Sequence, residues 1–186
     1  MVHEVPGLQV LVGSCGVNKI THKPFLFIYL FIYFRKKGTF LNGADFLVIS
    51  QASFDDLSAR LPPEYRDNVD LLNFRSNLII EGATPFQEDT WKTVQIGTHI
   101  FSRLKLCSRC PTTCVDKCTA TIMPEPLRTL AKYRTINNKI VFGCLMNWRA
   151  SAAQRPWVLS RNLRVIVLET DEEDKIWERL ESAKKK

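Results

Sequence analysis

His99-Ile-Phe-Ser-Arg-Leu-Lys-Leu106 runs directly into Cys107-Ser-Arg-Cys-Pro-Thr-Thr-Cys-Val-Asp-Lys-Cys118, so an apolar-alternating segment precedes four of the chain's six cysteines. Alternation of apolar and polar residues with a period of two predicts a β-strand. The strand is therefore expected to deliver a thiol-rich loop to one place in the fold. Because thiolates are soft ligands and strong nucleophiles, this loop indicates metal or sulfur chemistry.

The spacing of the cysteines leaves three interpretations of the loop open. A structural zinc site usually takes its four ligands as two pairs separated along the chain, whereas these thiols lie in one segment. The spacing also differs from that of a bacterial iron–sulfur motif. Alternatively, one cysteine serves as a thiolate ligand to a cofactor metal, and Arg109 beside Cys110 would favour that thiolate. In the third interpretation the cysteines are unreactive.

The composition of the 186 residues indicates one ordinary globular domain. Apolar residues make up 45% and charged residues 24%, which separates the chain from disordered proteins. The net charge of +7 favours anionic partners. A nucleic-acid partner is not predicted, because the chain has no basic stripe with interleaved aromatic residues and no known nucleic-acid module. The crowding of the cysteines predicts an intracellular protein rather than a secreted disulfide scaffold.

The first 42 residues are predicted to be irregular, and they lack the charged start of a signal peptide. Within them, Pro24-Phe-Leu-Phe-Ile-Tyr-Leu-Phe-Ile-Tyr-Phe34 is apolar and aromatic throughout, and Arg35-Lys-Lys37 follows it. A membrane-spanning helix needs about 20 apolar residues, so this run is too short to span. A buried strand, an interfacial anchor and an artefact of gene prediction remain as its interpretations.

Residues 43–170 are predicted to form an α+β domain that is mainly β, and a charged surface helix is expected at 171–186. One helix is predicted at 54–61, with Ser53 as its N-cap and Pro62 at its end, and a second at 127–134, opened by Pro126. Turns are expected at Gly97-Thr98 and at Asn137-Asn138. Strands are predicted at 44–50, 77–81, 92–96, 99–106, 139–146 and 161–168.

Two polar motifs each have a structural and a functional interpretation. In Asn73-Phe-Arg-Ser-Asn77, the arginine and the second asparagine either are solvated loop residues or present donors to an anion such as a phosphate. Glu88-Asp89 could be a catalytic carboxylate pair, but a turn and a cap is the favoured interpretation. The three histidines are scattered and predict no Ser–His or Cys–His constellation.

Seven short blocks of the chain, taken in order and spacing over residues 43–148, resemble the MOSC domain. The resemblance is greatest to the mitochondrial amidoxime-reducing components, with the C-terminal domain of molybdenum cofactor sulfurase as a relative. The blocks are Asn73-Phe-Arg-Ser-Asn-Leu-Ile-Ile80, Phe86-Gln-Glu-Asp-Thr-Trp91, Ile96-Gly97, Cys107-Ser-Arg-Cys110, Thr112-Thr-Cys-Val-Asp116, Glu125-Pro-Leu-Arg-Thr-Leu130 and Phe142-Gly143.

The resemblance implies a barrel-like MOSC fold with flanking helices that binds a molybdenum pyranopterin cofactor. It implies that Cys110 is the molybdenum ligand and the catalytic residue. It also implies that Arg75 and Asn77 face the cofactor, with Ser108 and Arg109 as further cofactor-binding residues. A soft thiolate suits a sulfur-rich molybdenum centre, and a guanidinium suits the phosphate of the pterin.

The implied reaction is a two-electron reduction of N-hydroxylated compounds, such as amidoximes and hydroxylamines. The implied electron donors are a b-type cytochrome and its NADH-dependent flavin reductase, and the implied location is the mitochondrial outer membrane, or else the cytosol. The alternatives are a non-catalytic sulfur-carrier, cofactor-binding or zinc-binding module, and the C-terminal domain of a sulfurase. In a sulfurase a separate pyridoxal phosphate domain mobilises the sulfur, and no pyridoxal lysine motif is visible in this sequence.

The sequence also departs from the family pattern. Ser76 stands where the family usually has proline, and Cys114 and Cys118 are additional thiols. Residues 1–42 do not resemble the N-terminal β-barrel region of the family. The closing Gly-Asp-Pro segment is missing, although Leu163-Arg-Val-Ile-Val-Leu168 resembles part of it. These departures predict a truncated member of the family.

Overall fold

The structure is a computed structural model that describes residues 44–149, 159 and 163–171, together with the backbone of 9–12. The apolar run at 24–34 and the helix expected after residue 171 lie outside the described residues.

The described part of the chain is built on one mixed sheet that curls into a half-barrel. Its strands follow the order β1-β3-β2-β7-β5-β4-β8, and β6 pairs with β7 beside that path. The β2–β3 pair is parallel and the other pairs are antiparallel. The strands are β1 (Gln9–Val12), β2 (Phe46–Ser50), β3 (Leu78–Glu81), β4 (Trp91–Ile96), β5 (His99–Ser108), β6 (Thr135–Ile136), β7 (Lys139–Trp148) and β8 (Val165–Thr170).

Three α-helices and three short 3₁₀ helices connect the described strands. The prediction of an α+β fold dominated by strands is therefore confirmed. The α-helices are α1 (Gln51–Arg60), α2 (Pro63–Arg66) and α3 (Leu127–Ala131), and the 3₁₀ helices are Leu71–Phe74, Gln87–Asp89 and Pro111–Cys114.

The predicted strands are present, with changes at their ends. The Gly97-Thr98 hairpin is confirmed by the pairing of Ile96 with His99, and the strand after it continues through Ser108 rather than ending at residue 106. The Asn137-Asn138 turn is confirmed as well, since both residues have positive φ. Of the strand predicted at 161–168 the structure describes residues 163–168, and β8 runs over Val165–Thr170 in the register set by β4, whose Ile96 pairs with Val165.

The predicted N-cap of the first helix is wrong. Ser50, not Ser53, caps α1, because the Ser50 Oγ accepts the Ser53 backbone N–H at 3.1 Å. Ser53 lies inside the first turn, and its hydroxyl donates to a Glu88 carboxylate oxygen at 2.9 Å. The apolar face is as predicted, since Leu57 and Leu61 are buried and Phe54 packs against the same core.

The predicted end of the second helix is also wrong, because α3 stops at Ala131 rather than at Arg134. After Ala131 the backbone N–H groups of Lys132 and Tyr133 bond to carbonyl oxygens three residues back rather than four, which ends the helix in a turn. The buried Arg134 side chain then pairs with Asp89. Pro126 occupies the cap position just before the helix rather than its first turn.

Hydrophobic cores lie on both faces of the sheet. Along β2, Phe46 and Val48 belong to one core and Leu47 and Ile49 to the other, so this central strand is buried on both sides. Cys107 at the end of β5 packs into the second core. The point where β5 leads into the cysteine loop is therefore fixed by packing.

Gly143 is a position where the fold requires glycine, and we expect Gly143→Ala to destabilise the protein. Its φ is +74°, and an added Cβ would lie 2.6 Å from Ile49 Cγ1 and 2.7 Å from the Val48 carbonyl oxygen. The left-handed conformation and the backbone clash together predict a loss of about 2–4 kcal/mol in the free energy of unfolding, measured by urea denaturation.

Gly97→Ala is the matched control for Gly143→Ala. Its φ is +59°, but the nearest atom to an added Cβ is a flexible Leu163 methyl group at 3.2 Å. A smaller loss, of about 1–2 kcal/mol, is expected there. Equal losses for the two variants would show that the close contact with β2 does not matter.

Candidate functional site

The cysteine loop presents one thiol to solvent beside β5. Cys107 is buried, whereas Ser108 and Cys110 are exposed. Cys110 caps the 3₁₀ helix Pro111–Cys114, and its carbonyl oxygen accepts the Thr113 backbone N–H and hydroxyl at 3.1 and 2.7 Å. The Cys110 Sγ lies 3.4 Å from the Thr112 hydroxyl. That hydroxyl, and more weakly the Arg109 charge, lower the pKa of the Cys110 thiol and favour its thiolate.

Arg109 points inward and joins the cysteine loop to the segment before β3. One of its terminal nitrogens donates to the Phe74 carbonyl oxygen at 2.7 Å and the other to Cys107 Sγ at 3.1 Å. The guanidinium also lies 5.1 Å from the centre of the Phe74 ring. Its Nε–H is buried without a hydrogen-bond partner among the described residues. The sequence predicted that the charge of Arg109 favours the Cys110 thiolate. It did not predict that the Arg109 side chain contacts Phe74 and Cys107.

Within the Asn73–Asn77 segment, Arg75 has a strained left-handed backbone and an exposed side chain. Asp70 and Asn73 form a reciprocal capping box around the 3₁₀ helix Leu71–Phe74, and Arg75 follows it with φ 56° and ψ 38°. A left-handed conformation costs about 1–2 kcal/mol for a residue with a Cβ, so the capping box must maintain it. The Asn77 Oδ1 accepts the Leu47 N–H at 2.7 Å. Asn77 thus fixes the register between β2 and β3 while its neighbour Arg75 remains exposed.

The two predicted motif blocks are brought together by direct hydrogen bonds. Besides the Arg109–Phe74 contact, the Asn73 side chain donates to the Val115 carbonyl oxygen at 3.0 Å. Asn68 donates to Asp116 at 3.0 Å, and the other Asp116 oxygen accepts the backbone N–H groups of Cys118 and Thr119 at 2.8 Å each. These donors, Thr119 first, lower the pKa of Asp116. The loop that carries Cys110 is therefore docked on the loop that carries Arg75.

The other thiols of the described region do not form a metal cluster with Cys110. Cys114 and Cys144 are buried, and burial raises the pKa of both. Cys118 is exposed at the far end of the loop. Within the described residues, no three His, Cys, Asp or Glu side chains lie close enough to share a metal ion. The geometry here favours a site with a single protein thiolate over a four-cysteine zinc site.

Selective alkylation tests this description of the thiols. At pH 7, iodoacetamide should modify Cys110 in the folded chain, while the buried Cys107, Cys114 and Cys144 should react only on unfolding. Because its pKa is lowered, the reaction rate of Cys110 should fall at a lower pH in the folded chain than in the denatured chain. Peptide mass spectrometry measures the sites, and preferential labelling of Cys114 or Cys107 would contradict the geometry.

Glu88 and Asp89 form a turn, as predicted, but their side chains are buried and diverge. Glu88 accepts the Ser50 N–H at 3.1 Å and the Ser53 hydroxyl, and burial raises its pKa. Asp89 pairs with the fully buried Arg134. The adjacent carboxylates therefore connect the turn to α1 and to the end of α3 rather than facing one site. No local pattern around Arg134 predicts that it pairs with Asp89.

Comparison with known proteins identifies the family. The model of the MOSC domain matches residues 35–166, which is more than half of the chain. The chain belongs to the MOSC domain family. The Arg75 block, the Cys110 block and the loops that join them all fall inside this MOSC match.

Named relatives of this MOSC domain come from two groups of proteins. The molybdenum cofactor sulfurase of Arabidopsis thaliana is 39% identical over 127 residues, covering 64% of this chain and 16% of the sulfurase. The sulfurase of Danio rerio is 35% identical over 144 residues, covering 73% and 17%. Mitochondrial amidoxime-reducing component 1 of Mus musculus is 39% identical over 104 residues, covering 54% and 29%. The chain thus spans less than a third of each of these proteins.

The residues of this MOSC domain fit the cofactor named in the sulfurase relatives. An exposed thiol with a lowered pKa is available as a soft ligand, and the exposed Arg75 guanidinium is available for a phosphate. The unpartnered Arg109 Nε–H is a buried donor beside the same loop. As for membranes, no helix in the described region has the length and apolar character needed to cross one.

Proposed function

We propose that this MOSC domain binds a molybdenum pyranopterin cofactor and holds the metal through the Cys110 thiolate. The observation that carries the proposal is the geometry of the loop. Cys110 is exposed and its pKa is lowered, and hydrogen bonds dock its loop on the segment that carries Arg75. A single soft thiolate suits a metal whose other ligands are supplied by its own cofactor.

The other proposed site residues act by charge and by position. Arg75 is placed to bind an anionic group, because its guanidinium is exposed and its backbone is fixed by the capping box before it. Arg109 positions Cys110 through Phe74 and Cys107, and its Nε–H is the donor that remains for a ligand. Ser108 presents an exposed hydroxyl on the approach to Cys110. Asn77 contributes through the β2–β3 register and through its remaining amide donors.

We further propose that the protein reduces N-hydroxylated compounds such as amidoximes and hydroxylamines. When bound, the cofactor would supply the two-electron chemistry of this reduction, which also takes up two protons and releases the oxygen of the N–OH group as water. The chain supplies the thiolate that retains the metal and the exposed approach along Ser108 and Cys110. The names of the amidoxime-reducing relatives support this reaction and a mitochondrial association. A b-type cytochrome and its NADH-dependent flavin reductase are the proposed electron donors.

A second candidate function is that of the cofactor-binding domain of a molybdenum cofactor sulfurase. It is supported by the sulfurase relatives, which match at the same 39% identity as the reductase. In that function Cys110 would still face the cofactor, but the chain would present it to a separate sulfur-mobilising domain and would not reduce amidoximes.

Reduction of benzamidoxime distinguishes the two functions. The molybdenum-loaded chain should convert benzamidoxime to benzamidine when a chemically reduced viologen dye supplies electrons in place of the protein donors. Cys118→Ser should retain this activity, because Cys118 lies outside the proposed site. A chain that holds molybdenum and pterin but reduces no amidoxime would contradict the reductase function and favour the sulfurase one.

A further inference from the structure

A cleft of about 570 Å³ lies on the sheet beside the end of β5, and Ser108 is its one lining residue among the proposed cofactor-binding residues. Its walls come from residues 103–106 and 108 of β5, from the β6–β7 hairpin and from Asp171 after β8. Pockets of roughly 300–1,000 Å³ are those that hold small organic molecules. The cleft is therefore large enough for a ligand of the size of a substituted aromatic ring.

The charge in this cleft is positive. Arg103 is already engaged, because its guanidinium donates to the Asp171 carboxylate and to the Asp89 carbonyl oxygen. Asp171 is the one carboxylate in the described lining, and Arg103 neutralises it. Lys105 and Lys139 also line the cleft, and neither forms an ion pair with another residue that the structure describes. Two ammonium groups are thus available to an anion.

Apolar side chains lie between these cations. Leu104 is 50% exposed, and it lines the cleft together with the partly buried Leu106 and Ile136. A simple inorganic anion would leave this surface uncovered. A ligand with an apolar body and a charged end would satisfy both parts of the lining.

The cleft ends beside the proposed molybdenum site. Ser108 lines it and pairs with Val141 of β7, and the next residue, Arg109, donates its N–H to the Ile140 carbonyl oxygen at 2.8 Å. Lys139 therefore lies across from the segment that leads into Cys110. Cys110 itself does not line the cleft, and Ser108, two residues before it, is the lining residue nearest to it along the chain.

We propose that this cleft binds an organic anion, an apolar body that carries a carboxylate or phosphate, through Lys105 and Lys139. This inference rests on the proposed function: the anion is the substrate of the reduction. The enzyme therefore selects N-hydroxylated compounds that carry a negative charge remote from the reacting nitrogen. A phosphate of the cofactor is the other source of the same chemistry. The two sources are separated by measuring the pterin content of the variants.

Calorimetric titration of the purified full chain with 4-carboxybenzamidoxime and with uncharged benzamidoxime tests the proposal. The carboxylate should tighten binding by about ten-fold at low salt, and the preference should decline as the salt concentration rises. Lys105→Gln/Lys139→Gln should abolish the preference, and the fold should be retained because both lysines are exposed. Lys132→Gln, an exposed lysine outside the cleft, is the matched control and should keep it.

The other outcomes of the titration and of the pterin measurement also decide for or against the proposal. Equal binding of the two amidoximes by the unmodified chain, or a preference that survives in the double variant, would overturn the proposal. Loss of pterin from the double variant alone would assign the lysines to the cofactor and would also overturn it. A lysine-dependent preference in a chain that never binds molybdenum would support the cleft while contradicting the proposed function.

Discussion

Cys110→Ser is expected to remove molybdenum from the protein and to lower amidoxime reduction by more than about 100-fold. Serine keeps the size of the side chain but replaces a soft thiolate with a hydroxyl that stays protonated at neutral pH. Because Cys110 is exposed, the free energy of unfolding of the metal-free chain should change by less than about 0.5 kcal/mol. Metal analysis, viologen-coupled reduction of benzamidoxime and urea denaturation measure the three effects.

Cys118→Ser is the matched control for this substitution, since it removes an exposed thiol from the same loop. It should retain the metal. Loss of the metal in both variants, and also in Cys107→Ser and Cys114→Ser, would contradict a site with a single thiolate. That pattern would favour the zinc-binding interpretation of the four-cysteine loop.

Arg134→Met is expected to have the largest effect on stability, a loss of about 3–5 kcal/mol in the free energy of unfolding. Arg134 is 1% exposed, pairs with Asp89, and lies 4.4 Å from the centre of the Phe86 ring. Its removal leaves the Asp89 carboxylate buried without this partner. One oxygen of that carboxylate already has no hydrogen bond among the described residues, so little compensation is available. Urea denaturation measures the loss.

Two further variants distinguish the stability lost with the ion pair from the stability lost with side-chain packing. Arg60→Met breaks an ion pair with Asp56 in which the arginine is 51% exposed, and it should cost less than about 1 kcal/mol. Asp89→Asn removes the buried charge, so the double variant Asp89→Asn/Arg134→Met should be more stable than the sum of the single losses predicts. An Arg134→Met loss as small as that of Arg60→Met would contradict the role given to the buried pair.

The fold was predictable where local chemistry agrees with packing. The period-two alternation of residues 99–106 predicts a strand, and β5 is that strand. The paired asparagines before β7 predict a turn, and both have the positive φ of one. The ends of elements were less predictable, because they depend on distant partners. The residues around Ser53 have the pattern of an N-cap, but the Ser53 hydroxyl donates to Glu88, which is distant in the sequence. Ser50 caps the helix instead.

The proposed site was predictable as a set of residues but not as an arrangement. The sequence pointed to Cys110 and Arg75 separately, and nothing in either block predicts that Arg109 turns inward to join them through Phe74. The spacing of the four cysteines left a shared metal open. The burial of Cys107 and Cys114 depends on the second core and on the loop before α3, which no local pattern encodes.

Metal and pterin analysis of the purified chain tests the central claim most directly. The chain should be produced in cells that make the molybdenum cofactor in excess, and the unmodified protein compared with Cys110→Ser. We expect stoichiometric molybdenum and pterin in the unmodified protein, and much less of both in the variant. Zinc in place of molybdenum, or no metal at all in a folded chain, would contradict it.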